Sequence, residues 1–140
     1  MDNETLMRQA KAVRESAHAP YSLYYVGAAI LDENGAVHLG CNVENSAYPQ
    51  GACAEAGAIC AMVVGGGKRI SKIAVAGGGK DLEVCTPCGG CRQRILEFSD
   101  ASTQVLSLDG TGQVTIHSIA DLLPAPTQPN VDRHSGKSVA

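Results

Sequence analysis

Cys53-Ala54-Glu55 and Pro87-Cys88-Gly89-Gly90-Cys91 are the residues of this chain best suited to chemistry. Together they offer three thiols and one carboxylate. A catalytic zinc ion takes three protein ligands and keeps its fourth position for water. Thiolates are soft donors that suit zinc. Glu55 stands two residues after Cys53, and at a helix start that offset sets a carboxylate over metal-bound water without making it a ligand. Zinc acidifies that water and Glu55 gives its proton somewhere to go, which is the chemistry of hydrolysis.

Both motifs fall where a helix begins. A helix N-terminus offers free N–H groups and about half a positive charge. This matters because three thiolates outweigh the two charges of a zinc ion by one, and two helix ends restore part of the difference. Pro87 marks the turn into the second helix, so Cys88 and Cys91 share a face. A closed structural site would need a fourth ligand, Cys85 or a histidine. It would leave Glu55 and the Asn42–Tyr48 loop without a role. Cys85-x-x-Cys88-x-x-Cys91 also begins like an iron–sulfur run, but Gln93-Arg94-Ile95 follows where a fourth Cys-Pro belongs. Cys41 and Cys60 read as small buried side chains.

The elements that must position these groups follow from periodicity and turn residues. Leu6, Ala10, Val13 and Ala17 mark a helix over 4–17, ended by Ala19-Pro20-Tyr21-Ser22. Tyr24 to Leu31 reads as a buried strand, Asp32-Glu33-Asn34-Gly35 as a hairpin turn and Ala36 to Cys41 as the returning strand. A polar loop runs from Asn42 to Ala52, then an apolar helix over 53–64 ends at Gly65-Gly66-Gly67. Ile73 to Ala76 is a short strand, 77–87 a loop and 88–98 the second motif-bearing helix. Gln104–Leu108 and Val114–His117 read as strands around Asp109-Gly110, and Ser118 caps a short helix through Leu123. The order α-β-β-α-β-α-β-β-α predicts one sheet with helices on both faces. The catalytic domain is expected over 1–124, and 125–140 as a poorly ordered tail containing proline. Gly-Gly-Gly-Lys occurs twice without the rest of a phosphate loop.

A chain of 140 residues, 44% hydrophobic, fits one domain with a real core. The net charge of −3 and the lack of a basic run argue against a nucleic-acid partner. Five aromatic residues (four Tyr and one Phe) are few for stacking on bases. No apolar run reaches membrane-spanning length. The acidic start is unlike a secretory signal, so a cytoplasmic location is expected. In a reducing compartment clustered cysteines bind metal more often than they pair.

Taken together, Cys-Ala-Glu and Pro-Cys-x-x-Cys-Arg-Gln resemble the zinc deaminase signature, with Cys53 as first ligand. From about residue 5 to residue 123 the chain resembles the small homotetrameric cytidine deaminases. Pro20-Tyr21-Ser22, Val26-Gly27-Ala28-Ala29 and Asn42-Val43-Glu44-Asn45-Ser46-Ala47-Tyr48-Pro49 carry the likeness beside the two zinc motifs. The resemblance implies a three-layer α/β/α sandwich around a mixed five-stranded sheet. It implies one zinc ion per subunit on Cys53, Cys88 and Cys91, with Glu55 as proton shuttle. Asn42 and Glu44 would bind the ribose, Tyr48 would sit beside the sugar (its own or a neighbouring subunit's), and Tyr24 and Ala54 would meet the substrate. The partners implied are a free cytosine nucleoside and three further copies of the chain.

Three departures bear on this. The family commonly has Arg directly after the catalytic Glu, where Ala56-Gly57 stand here; the water would be less acidic unless Arg92 or another cation compensates. Tyr24 replaces a base-stacking Phe. A late Phe is absent after Leu122-Leu123-Pro124, which alters one wall of the base pocket. These changes keep two other readings open: a deaminase of a modified cytosine or blasticidin S-like compound, and a zinc or nucleoside-binding protein without turnover.

Overall fold

A computed structural model describes residues 1–127. Helix α1 (Asn3–Arg14) starts where the Asp2 carboxylate accepts the Thr5 N–H at 2.8 Å. Strands β1 (Tyr25–Asp32) and β2 (Val37–Cys41) form a hairpin, then a short 3-10 turn leads to α2 (Ala54–Val64). Strand β3 (Ile70–Gly78), the two-residue β4 (Leu82–Glu83) and α3 (Gly89–Glu97) follow. Strands β5 (Gln104–Leu108) and β6 (Val114–His117) and the short α4 (Ile119–Leu122) complete the fold.

The sheet order is β2-β1-β3-β5-β6, with β4 paired to β3 off this path. Only β3 and β5 run parallel, and α3 lies between them in the chain, as a parallel pair requires. Alternation along the strands builds the layers. Ala28, Ile30, Ile73, Val75 and Val105 face α2, α3 and α4. Ala29, Ala74, Ala76, Leu106 and Leu108 face α1 through Leu6, Met7 and Ala10. This is the expected three-layer sandwich on a mixed sheet.

Close approach of helix to sheet depends on two missing side chains. A Cβ on Gly27 would stand 2.1 Å from the Ala10 carbonyl oxygen. One on Gly40 would stand 2.3 Å from the Ala54 carbonyl oxygen and 2.4 Å from the Ala58 amide. The second contact seats the first turn of α2 against β2, and so fixes Cys53 and Glu55.

Some expectations are corrected. Strand β3 is longer than Ile73–Ala76, and the segment read as a loop over 77–87 contains β4. Three successive glycines hid this, because they break a strand pattern while Gly77 and Gly78 continue the ladder to Glu83 and Leu82. Cys60 is exposed and Cys41 half-buried, not enclosed. Helix α2 carries no charged side chain after Glu55, and Cys60, Val63 and Val64 are left exposed on it. The tail expected over 125–140 falls outside the described residues apart from 125–127, which carry no helix or strand. No helix among the described residues is long and apolar enough to cross a membrane.

Candidate active site

Each of the two motif-bearing helices has a cysteine as its N-cap: Cys53 for α2 and Cys88 for α3. Cys91 lies one turn into α3 and is fully buried. The two helix starts converge so that the sulfurs of Cys53, Cys88 and Cys91 lie within 4.8 Å of one another. Three sulfurs placed about 2.3 Å from one ion need a span of this order. Cys85 and the histidines stand outside this group, so among the described residues no fourth protein ligand closes the site. A soft three-thiol set with an open side fits a zinc ion that keeps a free position.

Burial pushes the Cys53 and Cys91 thiols up, and the nearby Glu55 charge adds to both. Burial also opposes the Cys88 thiolate, yet the Cys91 backbone N–H and the two partner cysteines bring it below its usual value. Glu55, in the first turn of α2, is only 4% exposed. Burial raises its carboxyl above the usual range, while its own backbone N–H, Cys91 and the Arg94 charge pull part of the way back.

A cleft of about 590 Å³ opens over the thiols. One wall comes from Tyr24, Asn42, Glu44 and Tyr48, and its floor from Cys53, Ala54 and Glu55. Thus every residue expected at the site lines the cleft except Cys91, which lies beneath it. Their hydrogen bonds add detail that the sequence did not contain. The Asn42 amide donates to the Tyr24 carbonyl at 2.8 Å and accepts the Val26 N–H at 2.8 Å. The Glu44 carboxylate accepts the Tyr21 and Ser22 N–H groups at 3.0 and 3.1 Å and the Ser22 hydroxyl. Both side chains therefore brace the loop before β1, while the amide and carboxylate keep lone pairs and one N–H for a ligand. Tyr48 is exposed at the rim, edge-on to Tyr21 with ring centroids 5.8 Å apart.

Val84 and Thr86 also line the cleft without having stood out in the sequence, and Val26 and Cys85, noted there as part of a strand motif and as a possible fourth ligand, line it as well. The β3–β4 turn brings 84–86 across from Tyr24, and that turn had no periodic signal. Tyr24 and Cys85 both stand against Gly77, and burial first, then the neighbouring Cys85, pushes the Tyr24 phenol up. Arg92 is not the compensating cation. It donates to the Pro87 carbonyl, the Leu122 carbonyl and the Thr86 hydroxyl, tying α3 to α4 and to the loop before Cys88. Arg94 Nη1 lies 3.7 Å from Cys91 Sγ instead.

Residues 1–107 match the model of the cytidine and deoxycytidylate deaminase zinc-binding region. The chain belongs to the cytidine and deoxycytidylate deaminase family. The matched region includes Cys53, Cys88 and Cys91, so the ion this thiol group is positioned to take is zinc. Among similar deaminases, the cytidine deaminase of Sporosarcina psychrophila is 42% identical over 125 residues, 89% of this chain and 90% of that protein. The cytidine deaminase of Halalkalibacterium halodurans is 36% identical, covering 89% and 92%. Among solved structures, the cytidine deaminase of Burkholderia pseudomallei superposes with a TM-score of 0.82 at 38% identity, covering 91% of this chain and 100% of that one. The deaminase fold is therefore shared over nearly all the described residues.

Proposed function

We propose that this chain hydrolyses free cytosine nucleosides, taking cytidine or 2′-deoxycytidine and water to uridine or 2′-deoxyuridine and ammonia. The observation that carries this reading is a three-thiol group fit for zinc beside a buried carboxylate, in a cleft where, among the described residues, the charged lining side chains are Glu44 and Glu55. No lysine or arginine lines that cleft among the described residues. A phosphate dianion would meet two carboxylates and no cationic side chain, which favours the nucleoside over the nucleotide.

Zinc, when held by Cys53, Cys88 and Cys91, supplies the Lewis acidity that makes water a nucleophile near neutral pH. Glu55 takes a proton at its carboxylate, delivers it to N3 of the cytosine ring and then assists the departing amine. Burial suits it to this, because it raises the carboxyl above its ordinary value and so makes the carboxylate a better proton acceptor. The spare capacity of Asn42 and Glu44 reads the ribose hydroxyl. Tyr24, which lines the cleft beside Cys85, offers a flat face to the base. Ala54, fully buried at the start of α2, presents backbone rather than side chain.

The assembly in this reading is a homotetramer with active sites near subunit interfaces. Supporting it, Cys60, Val63 and Val64 are exposed on the outward side of α2, with Val64 89% exposed. A row of apolar groups like this is what a second subunit covers. The free thiols fit a reducing cytoplasm. A substrate panel tests the reading: ammonia release from cytidine, deoxycytidine, deoxycytidylate, a 5-substituted and an N4-substituted cytidine, and blasticidin S. Turnover of the first two well above the nucleotide is expected. Turnover confined to a modified nucleoside, or to the nucleotide, would overturn the substrate assignment.

A further inference from the structure

We propose that Arg94 is the positioning residue that balances the charge of the zinc–thiolate site, acting through Cys91. The inference rests on the zinc reading above. A zinc ion on three thiolates carries one surplus negative charge. Helix α2 offers no basic side chain to meet it, since Ala56 and Gly57 follow Glu55. Of the two arginines on α3 near the motif, Arg92 uses its guanidinium on two carbonyls and a hydroxyl. Arg94 alone among the described guanidinium groups donates to one of the three sulfurs, at 3.7 Å, the longer reach that an N–H bond to sulfur allows.

The local sequence makes this contact accessible. Arg94 stands one turn after Cys91 and one turn after Gly90, so its side chain folds back toward the helix start. A Cβ on Gly90 would stand 3.3 Å from Arg94 Nη1, tighter than ordinary contact. Glycine at 90 therefore leaves the guanidinium its path to the sulfur. Taking up zinc replaces three thiol protons by two charges, so the site becomes more negative by one. A neighbouring guanidinium favours that exchange. It also draws electron density from Cys91, which leaves the metal a stronger Lewis acid.

The test uses Arg94→Met, which keeps an apolar stem, and Arg94→Lys, which restores charge without the planar fork. Zinc affinity is read by competition with a chromophoric chelator. The cobalt-substituted proteins give the sulfur-to-metal charge-transfer band. Removing a group hydrogen-bonded to a metal ligand typically costs about 10- to 100-fold in affinity. Arg94→Met is expected to lose zinc affinity in that range and to move the band to longer wavelength, with kcat falling more than KM rises. Arg94→Lys is expected to recover part of both. Arg94→Met with wild-type affinity and an unmoved band would overturn the proposal alone. Wild-type protein that takes up no zinc would overturn it together with the reading it rests on.

Discussion

Glu55 shows what a single residue gains from its place. Its carboxylate is almost fully buried, one residue into a helix that begins at a zinc-binding cysteine. In the proposed reading this places it beside the zinc site and not among the ligands. Glu55→Gln keeps the volume and would remove the proposed proton shuttle, so kcat is expected to fall roughly 10²- to 10⁴-fold. Zinc content, measured by atomic absorption, should stay at one per subunit. Loss of zinc with activity would instead make Glu55 part of the binding site. At this scale the sequence was most informative, because ligand types and spacings are local properties. Cys53, Glu55, Cys88 and Cys91 were legible for that reason. The hydrogen-bond partners of Asn42 and Glu44 were not, since they lie on the distant segment 21–26. Arg94 was passed over because a single arginine on an exposed helix face carries no pattern until the fold brings it to a sulfur.

Elements carry the site through close helix–sheet contact and through the turns between strands. The β1–β2 turn is organised by Asp32, whose carboxylate accepts the Asn34 and Ala36 N–H groups at 2.8 and 2.9 Å and meets His38 Nε2 at 2.8 Å. Burial works against the Asp32 carboxylate, but the His38 contact and the two backbone donors outweigh it and hold the group below its ordinary value. A lowered folded-state value adds stability above the ordinary aspartate value of about 3.9, and that gain is lost as pH falls through the folded-state value. Asp32→Asn is therefore expected to melt several degrees below wild type at pH 7, with the gap closing in acid. Thermal unfolding followed by circular dichroism from pH 7 to pH 3 checks this. A gap that stays constant would assign the loss to packing instead.

Strands β5 and β6, set on either side of the Asp109-Gly110 turn, matched their expected bounds. Strand β4 was not legible, because two residues have no period and their pairing depends on a glycine turn. It nonetheless decides the site, since it returns Val84, Cys85 and Thr86 to the cleft.

At the scale of the whole molecule, two cores lie on opposite faces of one sheet, and the cleft opens where α2 and α3 begin. The uniform apolarity of α2 left open whether its outer face was enclosed by its own chain. The fold answers that it is not, as Cys60, Val63 and Val64 are exposed. Light scattering is expected to give four times the 14.4 kDa subunit mass. A charge placed in that face, as in Val64→Asp, should lower the mass toward the single chain. A monomeric wild type would remove the basis for sites at subunit interfaces.

Zinc-dependent release of ammonia from a free nucleoside is the activity proposed for this fold. The most direct measurement follows ammonia and uridine formed from cytidine by the zinc-loaded protein, by the same protein after chelation, and after zinc is restored. Equal amounts of the two products, loss of turnover on chelation and recovery with zinc are expected. Zinc-loaded protein that binds cytidine and releases no ammonia would contradict the proposed activity.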